Sequence, residues 1–294
     1  VRTFNWVAPW YDGDGPGKFS LRVGNRKLPA VLGNTGTQWM WQCAGKVSVR
    51  KGPVNIALTD LSGFDGRCDA VYFTTEEDDI PPSGAAELAA FRKRMLGIPE
   101  TPQAAESFDF VVVGGGIAGM CAAAAASRLG CTVALVNDRP VLGGNNSSEI
   151  RVHLGGVIEL GPNEGLGRMI REFGHSRAGN AQPAENYEDA KKSAFIAAEE
   201  NVTLFASCRA VAVNMEGGRI RSVVIRHIET GKETSLEAPL FADCTGDGTV
   251  GFLAGADYRM GRESRDEFGE ALAPETADRM TMGSSVQWYS VDAG

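Results

Sequence analysis

The run from Phe108 to Asn146, FDFVVVGGGIAGMCAAAAASRLGCTVALVNDRPVLGGNN, constrains the fold more than any other stretch. Phe108 to Val113 is a short apolar run of the kind buried on both faces of a parallel sheet. Gly114, Gly116 and Gly119 follow at G-x-G-x-x-G spacing. An alanine-rich stretch to about Leu129 then suits a closely packed helix, and Thr132 to Val136 reads as a second strand. The spacing predicts a strand–turn–helix–strand unit. In such a unit Gly114 lets the chain reverse, Gly116 lets a pyrophosphate approach the backbone, and Gly119 lets the helix lie close to the strand. The helix begins at Ile117 and Ala118, where free N–H groups and a partial positive charge would meet the phosphates. A glycine pattern alone is weak; here the flanking strand and helix supply its context.

An acidic residue at the end of the second strand would hold the ribose hydroxyls. That position is Asn137, followed by Asp138, and either side chain can make those bonds. Arg139 raises the alternative of a 2′-phosphate on the ribose.

The chain has 294 residues, enough for one large or two medium domains. Its net charge of −8 argues against a general binder of nucleic acid or anionic membranes. No apolar run is long enough to cross a bilayer. The first residue is Val1 rather than Met, which reads as a processed or trimmed product. The six cysteines form no C-x-x-C pair, so neither a zinc site nor a redox dithiol is expected, and no metal site is predicted. Cys121 and Cys131 read as small core residues. Cys43 and Cys68 are either two separate buried thiols or a disulfide; the second would fit an exported, periplasmic protein.

Residues 1 to about 80 differ in character. Four of the five tryptophans, Trp6, Trp10, Trp39 and Trp41, lie here. Short alternating runs (Phe19, Leu21, Val23; Val47, Val49; Val54, Ile56, Leu58; Val71, Phe73) are separated by GDGPG, GNTG, RKGP and SGFDG. That spacing predicts a small all-β sandwich. The run Trp39-Met40-Trp41 with Gly45, the turn Lys51-Gly52, and the strands NIALTDL and CDAVYFT resemble carbohydrate-binding sandwich modules. The resemblance implies that exposed aromatics stack on sugar rings; the alternative is that the tryptophans fill or dock the sandwich. Asp12, Asp14, Asp60 and Asp65 read as turn formers, since no calcium-loop spacing accompanies them. Residues 81–106 read as a helical linker, with Ser83 as cap, Ala86 to Leu96 as helix, and Leu88, Phe91 and Leu96 as its apolar stripe.

The nucleotide-binding region is expected over 107–294. After the second strand comes PVLGGNNSSEIRVHLGG, residues 140–156, too glycine-rich for a regular element. The glycine fingerprint, the run Gly143-Gly144-Asn145-Asn146-Ser147-Ser148-Glu149, and FADCTGDGTVGFLAGA together resemble FAD-dependent oxidoreductases of the two-dinucleotide-binding-domain type. The similarity is strongest to a bacterial family often fused to a sugar-binding-like sandwich. The resemblance implies a Rossmann-like α/β flavoprotein domain with inserted helices and a β meander, and FAD as cofactor. Gly143, Gly144, Asn145 and Ser147 would lie along the cofactor, the backbone near Ala210 would meet the adenine, and Thr245, Gly246 and Asp247 would open a helix beside it. Asp247 is alternatively a helix cap. Inserted helices over 165–177 and 186–200 would shape the substrate region; their apolar faces read as Leu166, Met169, Ile170, Phe173 and as Ala190, Ala194, Ile196, Ala197. In that family the polypeptide continues past the point where this sequence stops, so the chain is expected to be a fragment or a shortened variant.

Glu149, Arg151 and His153 alternate, and on a strand they would share one face able to take a proton and hold an anion. A salt-bridged solvent face is the competing reading. His175 and His227 are expected to serve local structure. No Ser-His-Asp order, zinc signature or P-loop appears. The reading is an FAD-dependent oxidoreductase passing a hydride between a substrate carbon and flavin N5. Its partners would be a small molecule or carbohydrate and an unidentified electron acceptor. A nicotinamide-dependent dehydrogenase and a non-enzymatic glycan-binding protein are the alternatives.

Overall fold

In a computed structural model, the structure describes residues 1–3, 17–36, 38–62, 67–104, 107–156, 159, 161–162, 165, 167–174, 179–282 and 289–290. Trp6, Trp10, Asp12, Asp14, Asp65, Leu166 and His175 lie outside them. The chain divides into two compact units, Val1–Gly97 and Ile98–Gly294.

The first unit holds two three-stranded antiparallel sheets. One has β1 (Arg2–Thr3) at its centre; the other is built from β2 (Phe19–Val23) and β3 (Arg26–Leu32). β4 (Met40–Trp41) and β6 (Cys68–Ala70) flank β1, and β5 (Ile56–Asp60) pairs with β2. Phe19, Leu21 and Val23 alternate into a common core with Leu28, Leu32, Val1 and Ala44. The same alternation was expected to bury β5, but Ile56 and Leu58 are 46% and 51% exposed. They lie opposite Val23 and Leu21 across the ladder, on the edge strand, where the core does not reach. The expected strand at Val47–Val49 does not form, and Val49 is exposed; the expected strand CDAVYFT forms only over its first three residues, as β6.

Trp41 is structural. Its Nε1 donates to the Pro82 carbonyl at 3.1 Å and its ring meets Tyr72 edge-on. Trp39 is half exposed under the Arg2 guanidinium, 5.2 Å from the ring centre. Helix α1 (Ala85–Met95) is capped by Gly84 without any side-chain bond, rather than by the expected Ser83. It buries Leu88 and sets Phe91 against Tyr72, while Leu96 stays exposed. Cys43 and Cys68 are free thiols, but not the buried pair expected: Cys43 is exposed and Cys68 half-buried.

The second unit adds β7 (Gln103–Ala104), then β8 (Phe110–Val113), helix α2 (Ile117–Arg128) and β9 (Val133–Asn137). Helices α3 (Gly167–Phe173) and α4 (Asp189–Ala197) follow, with a 3-10 turn at Ala184–Tyr187 between them. Strand β10 (Val202–Ala206) leads into β11 (Cys208–Glu216), β12 (Arg219–His227) and β13 (Glu233–Glu237). β14 (Leu240–Asp243), α5 (Thr249–Leu253) and α6 (Arg265–Phe268) complete it.

A parallel sheet in the order β10-β9-β8-β14 forms the middle layer. Its central strands are buried on both sides, as their unbroken apolar sequence requires. Val112, Val133 and Leu135 point to α2, α3 and α4, where Met120, Ala123, Ala124, Phe173, Phe195 and Ile196 meet them. Val111, Val113, Ala134 and Val136 point the other way, onto the sheet β11-β12-β13-β7 through Ala210, Val223, Ile225 and Leu236. Each such buried valine or leucine contributes about 1.5–3 kcal/mol, so the two cores fix the sheet firmly. The alanines of α2 allow close approach, as expected.

Helix α4 corrects the reading of its buried face. Ala190, Ala194 and Ala197 are exposed; Lys192, Phe195 and Ile196 are buried, and the Phe195 ring packs at a tilt against Phe173, 4.6 Å between centres. Among the described residues no helix is long and apolar enough to cross a membrane.

Candidate functional site

The site grows from the carboxyl ends of three neighbouring strands. β8 is central, and its chain turns at Gly114. β9 lies on one side and β14 on the other, so the segments leaving those strands flank the same turn.

Gly114 has φ 112°, and a Cβ there would sit 2.1 Å from the Cys244 carbonyl oxygen and 2.8 Å from Thr245 N. A Cβ on Gly119 would sit 1.8 Å from the Gly114 oxygen. Gly115, which the sequence pattern leaves unassigned, is equally constrained: its Cβ would meet the Asn137 amide at 2.5 Å. Gly116 is different. Among the described residues, the one atom within 4 Å of its Cβ position is the Gly144 Cα, at 3.9 Å, so its glycine leaves room rather than preventing a clash. Gly116 is also the N-cap of α2 and offers no side-chain bond to the first-turn N–H groups. The amides of Ile117 and Ala118 therefore begin a twelve-residue helix with its positive end uncapped by side chains.

The second bend closes on the first. Gly143 N donates to Gly115 O at 2.9 Å, and Gly116 and Gly143 form an isolated parallel bridge. Gly143 and Gly144 have φ of 110° and 60°, and a Cβ on Gly144 would reach Gly116 Cα at 3.1 Å. Side chains of the loop itself and others remote in sequence hold it. Ser147, fully buried, donates Oγ–H to Gly144 O at 2.7 Å. Asn146 donates Nδ2–H to Val152 O at 2.9 Å, while its buried Oδ1 has no partner among the described residues. Lys192 is 0% exposed. Its stem lies against Gly143, and its ammonium donates to Tyr187 O and faces Asp189 Oδ1 at 3.7 Å. Burial pulls the Lys192 ammonium below the usual lysine range, with Asp189 opposing. Asp189 also accepts from Ser148 N at 3.2 Å. Lys192, Asp189 and Tyr187 were not found from the sequence; the spacing of Asp189 and Lys192, three residues apart beside a second lysine, Lys191, is the one signal it carries.

The third bend is Thr245-Gly246-Asp247-Gly248. Asp243, at the end of β14, accepts from Thr245 N at 3.1 Å, Thr245 Oγ at 2.7 Å and Gly251 N at 3.0 Å. Burial favours the neutral acid, but these bonds and one from Val250 N–H outweigh it and hold the Asp243 carboxyl below its ordinary range. Thr245 Oγ in turn accepts from Thr249 N at 2.9 Å. Asp243 and Thr245 thus cap α5. Asp247 does not; the N-cap is Gly248, with φ 64°.

At the end of β9, Asn137 is buried and spends its amide on Arg139 O and Val141 O, at 2.8 and 3.0 Å. Asp138 is exposed, and Arg139 approaches Glu149 at 3.4 Å. Ala210 sits in β11 opposite Ile225 with its side chain in the core. The register shifts between Ala210 and Ala212, so Val211 has no ladder partner.

Glu149, Arg151 and His153 do not share a strand face. Residues 147–153 run through turns, and Arg151 has φ 63°. The three side chains go separate ways: Glu149 to Arg139, Arg151 Nε to Ser148 O at 2.9 Å, and His153 to Asn180. Alternation in the sequence therefore did not give a common face. His227, as expected, serves a turn: its Nδ1 accepts from Glu229 N and Thr230 N.

With this geometry in place, residues 109–292 match the family described as FAD dependent oxidoreductase. The chain belongs to that family. No curated protein matches it. Among solved structures it is similar to a geranylgeranyl bacteriochlorophyll reductase-like protein from Thermoplasma acidophilum (21% identity, TM-score 0.35, 54% of this chain and 45% of that one). It is also similar to THI4 from Thermovibrio ammonificans (19%, 0.37, 65% and 81%). A third likeness is to L-proline dehydrogenase from P. horikoshii (15%, 0.34, 79% and 32%). The chain thus spans less than half of the reductase-like protein's length.

The cofactor of this family is FAD, and the residues present fit it. The three bends converge at the backbone level, and the gap between Gly116 and Gly144 is one that any Cβ would narrow. The helix start there lacks a side-chain cap. A doubly phosphorylated, extended molecule matches such a cradle of main-chain amides.

Proposed function

We propose that this chain forms the FAD-binding part of an oxidoreductase that oxidises or reduces a small molecule by hydride transfer. When bound, FAD would supply the two-electron acceptor or donor. The protein's share is to bind, orient and manage protons. In this reading the amides of Ile117, Ala118, Gly144 and Asn145 hold the pyrophosphate. Asp138, rather than Asn137, takes the ribose hydroxyls, because Asp138 is exposed whereas Asn137 is buried with both Nδ2 hydrogens given to Arg139 O and Val141 O. The main chain around Ala210 and Val211 meets the adenine. The Thr245–Gly246 segment closes the cradle from the β14 side. The observation that carries the reading is the contact of Gly116 with Gly144 and of Gly114 with Cys244 and Thr245, which brings all three bends to one place.

The substrate class in this proposal is a carbohydrate or sugar-derived hydroxyl. Its support is the first unit, two small antiparallel sheets with Trp39 partly exposed. The test is anaerobic. The FAD-loaded protein is mixed with a panel of sugars and sugar acids, and absorbance of the oxidised flavin is followed. Bleaching by a sugar hydroxyl is expected. Bleaching only by substrates without one, such as amines or amino acids, would remove the carbohydrate assignment and leave the flavin role standing.

A further inference from the structure

We propose that Asn180 is a positioning residue that fixes His153 as the Nδ1–H tautomer, leaving Nε2 as the proton acceptor for a hydroxyl of the substrate. The proposal rests on the function above for the identity of the substrate group, but its geometry stands apart from any cofactor.

The Asn180 amide can be oriented from its contacts. The backbone N–H of His153 donates to Asn180 Oδ1 at 3.0 Å. A backbone N–H can only donate, so the atom facing it is the amide oxygen and not the nitrogen. The same oxygen lies 2.8 Å from His153 Nδ1. That ring nitrogen must therefore carry the hydrogen, and in a neutral imidazole the lone pair is then on Nε2. The residue beside Nε2 is Gly155; a Cβ there would stand 3.3 Å from it. Gly155 does not have a left-handed backbone. Its missing side chain is not demanded by conformation, and as glycine it sets no side chain beside Nε2.

The arrangement is held from both sides. His153 follows directly on the loop of the second bend, where Val152 N donates to Asn145 O at 3.0 Å and Asn146 Nδ2 to Val152 O at 2.9 Å. On the other side the buried Tyr187 hydroxyl donates to Arg151 O at 2.6 Å, and Ala181 N donates to the same oxygen at 2.9 Å. Arg151 and Ala181, at which the two segments of this clasp turn, have φ of 63° and 53°. Left-handed backbone at a residue with a side chain costs about 1–3 kcal/mol, and it persists where surrounding contacts impose it, often at functional sites. Two such residues joined by one hydrogen bond set His153 and Asn180 face to face. The consequence is an imidazole whose orientation and tautomer are settled before substrate arrives. When it acts, a substrate O–H bond breaks, an Nε2–H bond forms, and the ring becomes an imidazolium with Nδ1–H still on Asn180.

The test uses the full chain with 15N-labelled histidine and long-range 15N–1H correlation spectra. Only three histidines are present, so His153→Gln assigns the signals. The wild type should show a bare Nε2 and a protonated Nδ1 for His153, the reverse of the tautomer that a histidine free in water prefers. Asn180→Ala should return His153 to the Nε2–H form, and Asn180→Asp, which keeps an acceptor, should retain Nδ1–H. A wild-type His153 protonated at Nε2, or an Asn180→Ala spectrum with Nδ1 still protonated, overturns the proposal. If Asn180→Ala does not fold, the wild-type spectrum decides alone. Failure of the flavin reading is seen separately: a chain with the expected tautomer and no affinity for FAD would end that reading and leave the Asn180–His153 assignment in place.

Discussion

The turn at Gly114–Gly119 and the loop at Gly143–His153 lie side by side and are built in opposite ways. The first is made by what is missing. Glycines at 114, 115 and 119 are required because main chain or a buried amide occupies the space where a Cβ would go, and its neighbours are strand ends set by the sheet. The second is made by what is added. Ser147 and Asn146 within the loop, and Asp189, Tyr187 and Lys192 from α4 and the turn before it, are buried or half-buried polar groups that hold an irregular backbone. One bend is local and rigid; the other depends on contacts some forty residues away. The difference predicts that the two will fail separately.

The largest effect is expected from Gly119→Ala. One methyl group would stand 1.8 Å from a main-chain oxygen, and α2 would have to leave the sheet. A loss of about 4 kcal/mol or more in urea unfolding is expected. Gly130→Ala is the control: it has φ 92° but open space around its Cβ, and should cost about 1 kcal/mol. Equal losses in the two variants would mean that the first turn is not built by close approach.

Lys192→Ala is expected next, at about 3 kcal/mol, from lost packing on Gly143 and unpaired groups at Tyr187 O and Asp189. The sharper readout is hydrogen exchange. Amides at 143–148 should exchange faster while those at 114–119 keep their protection. Equal loosening of both bends would merge what is here separated.

Ser147→Ala removes a single buried hydrogen bond to Gly144 O and should cost about 1 kcal/mol in the same unfolding experiment. The smallest effect concerns the third bend. The Asp243 carboxyl is held below its ordinary range in the folded state. Its contribution is therefore complete above the unfolded value of about 3.9 and is lost as pH falls through the lower folded value. Asp243→Asn should flatten that acid limb of a stability–pH profile and leave the neutral region little changed in slope. An unaltered acid limb would show that the carboxylate does not cap α5 in solution.

The same contrast explains what could be read in the sequence. Val111–Val113 and Val133–Val136 announce a parallel sheet because burial on both faces leaves a continuous apolar run. The glycines announce the turn because no other residue fits. Glu149, Arg151 and His153 misled because alternation means a shared face only on a strand, and Arg151 is left-handed. Lys192 was hidden because burial of a cation depends on Tyr187 and Asp189 being folded around it. β5 shows the reverse failure: its alternation is real and its pairing correct, yet Ile56 and Leu58 lie at an edge that the core does not cover.

The most direct measurement is a titration of FAD into the purified chain and into Gly144→Val, followed by quenching of flavin fluorescence and shift of its visible absorption. In this structure a Cβ at 144 would reach Gly116 Cα at 3.1 Å and narrow the cradle between the first two bends. The account predicts saturable one-to-one binding by the wild type and its loss in a folded Gly144→Val variant. Binding of equal strength by both, or no binding by the wild type, would contradict it.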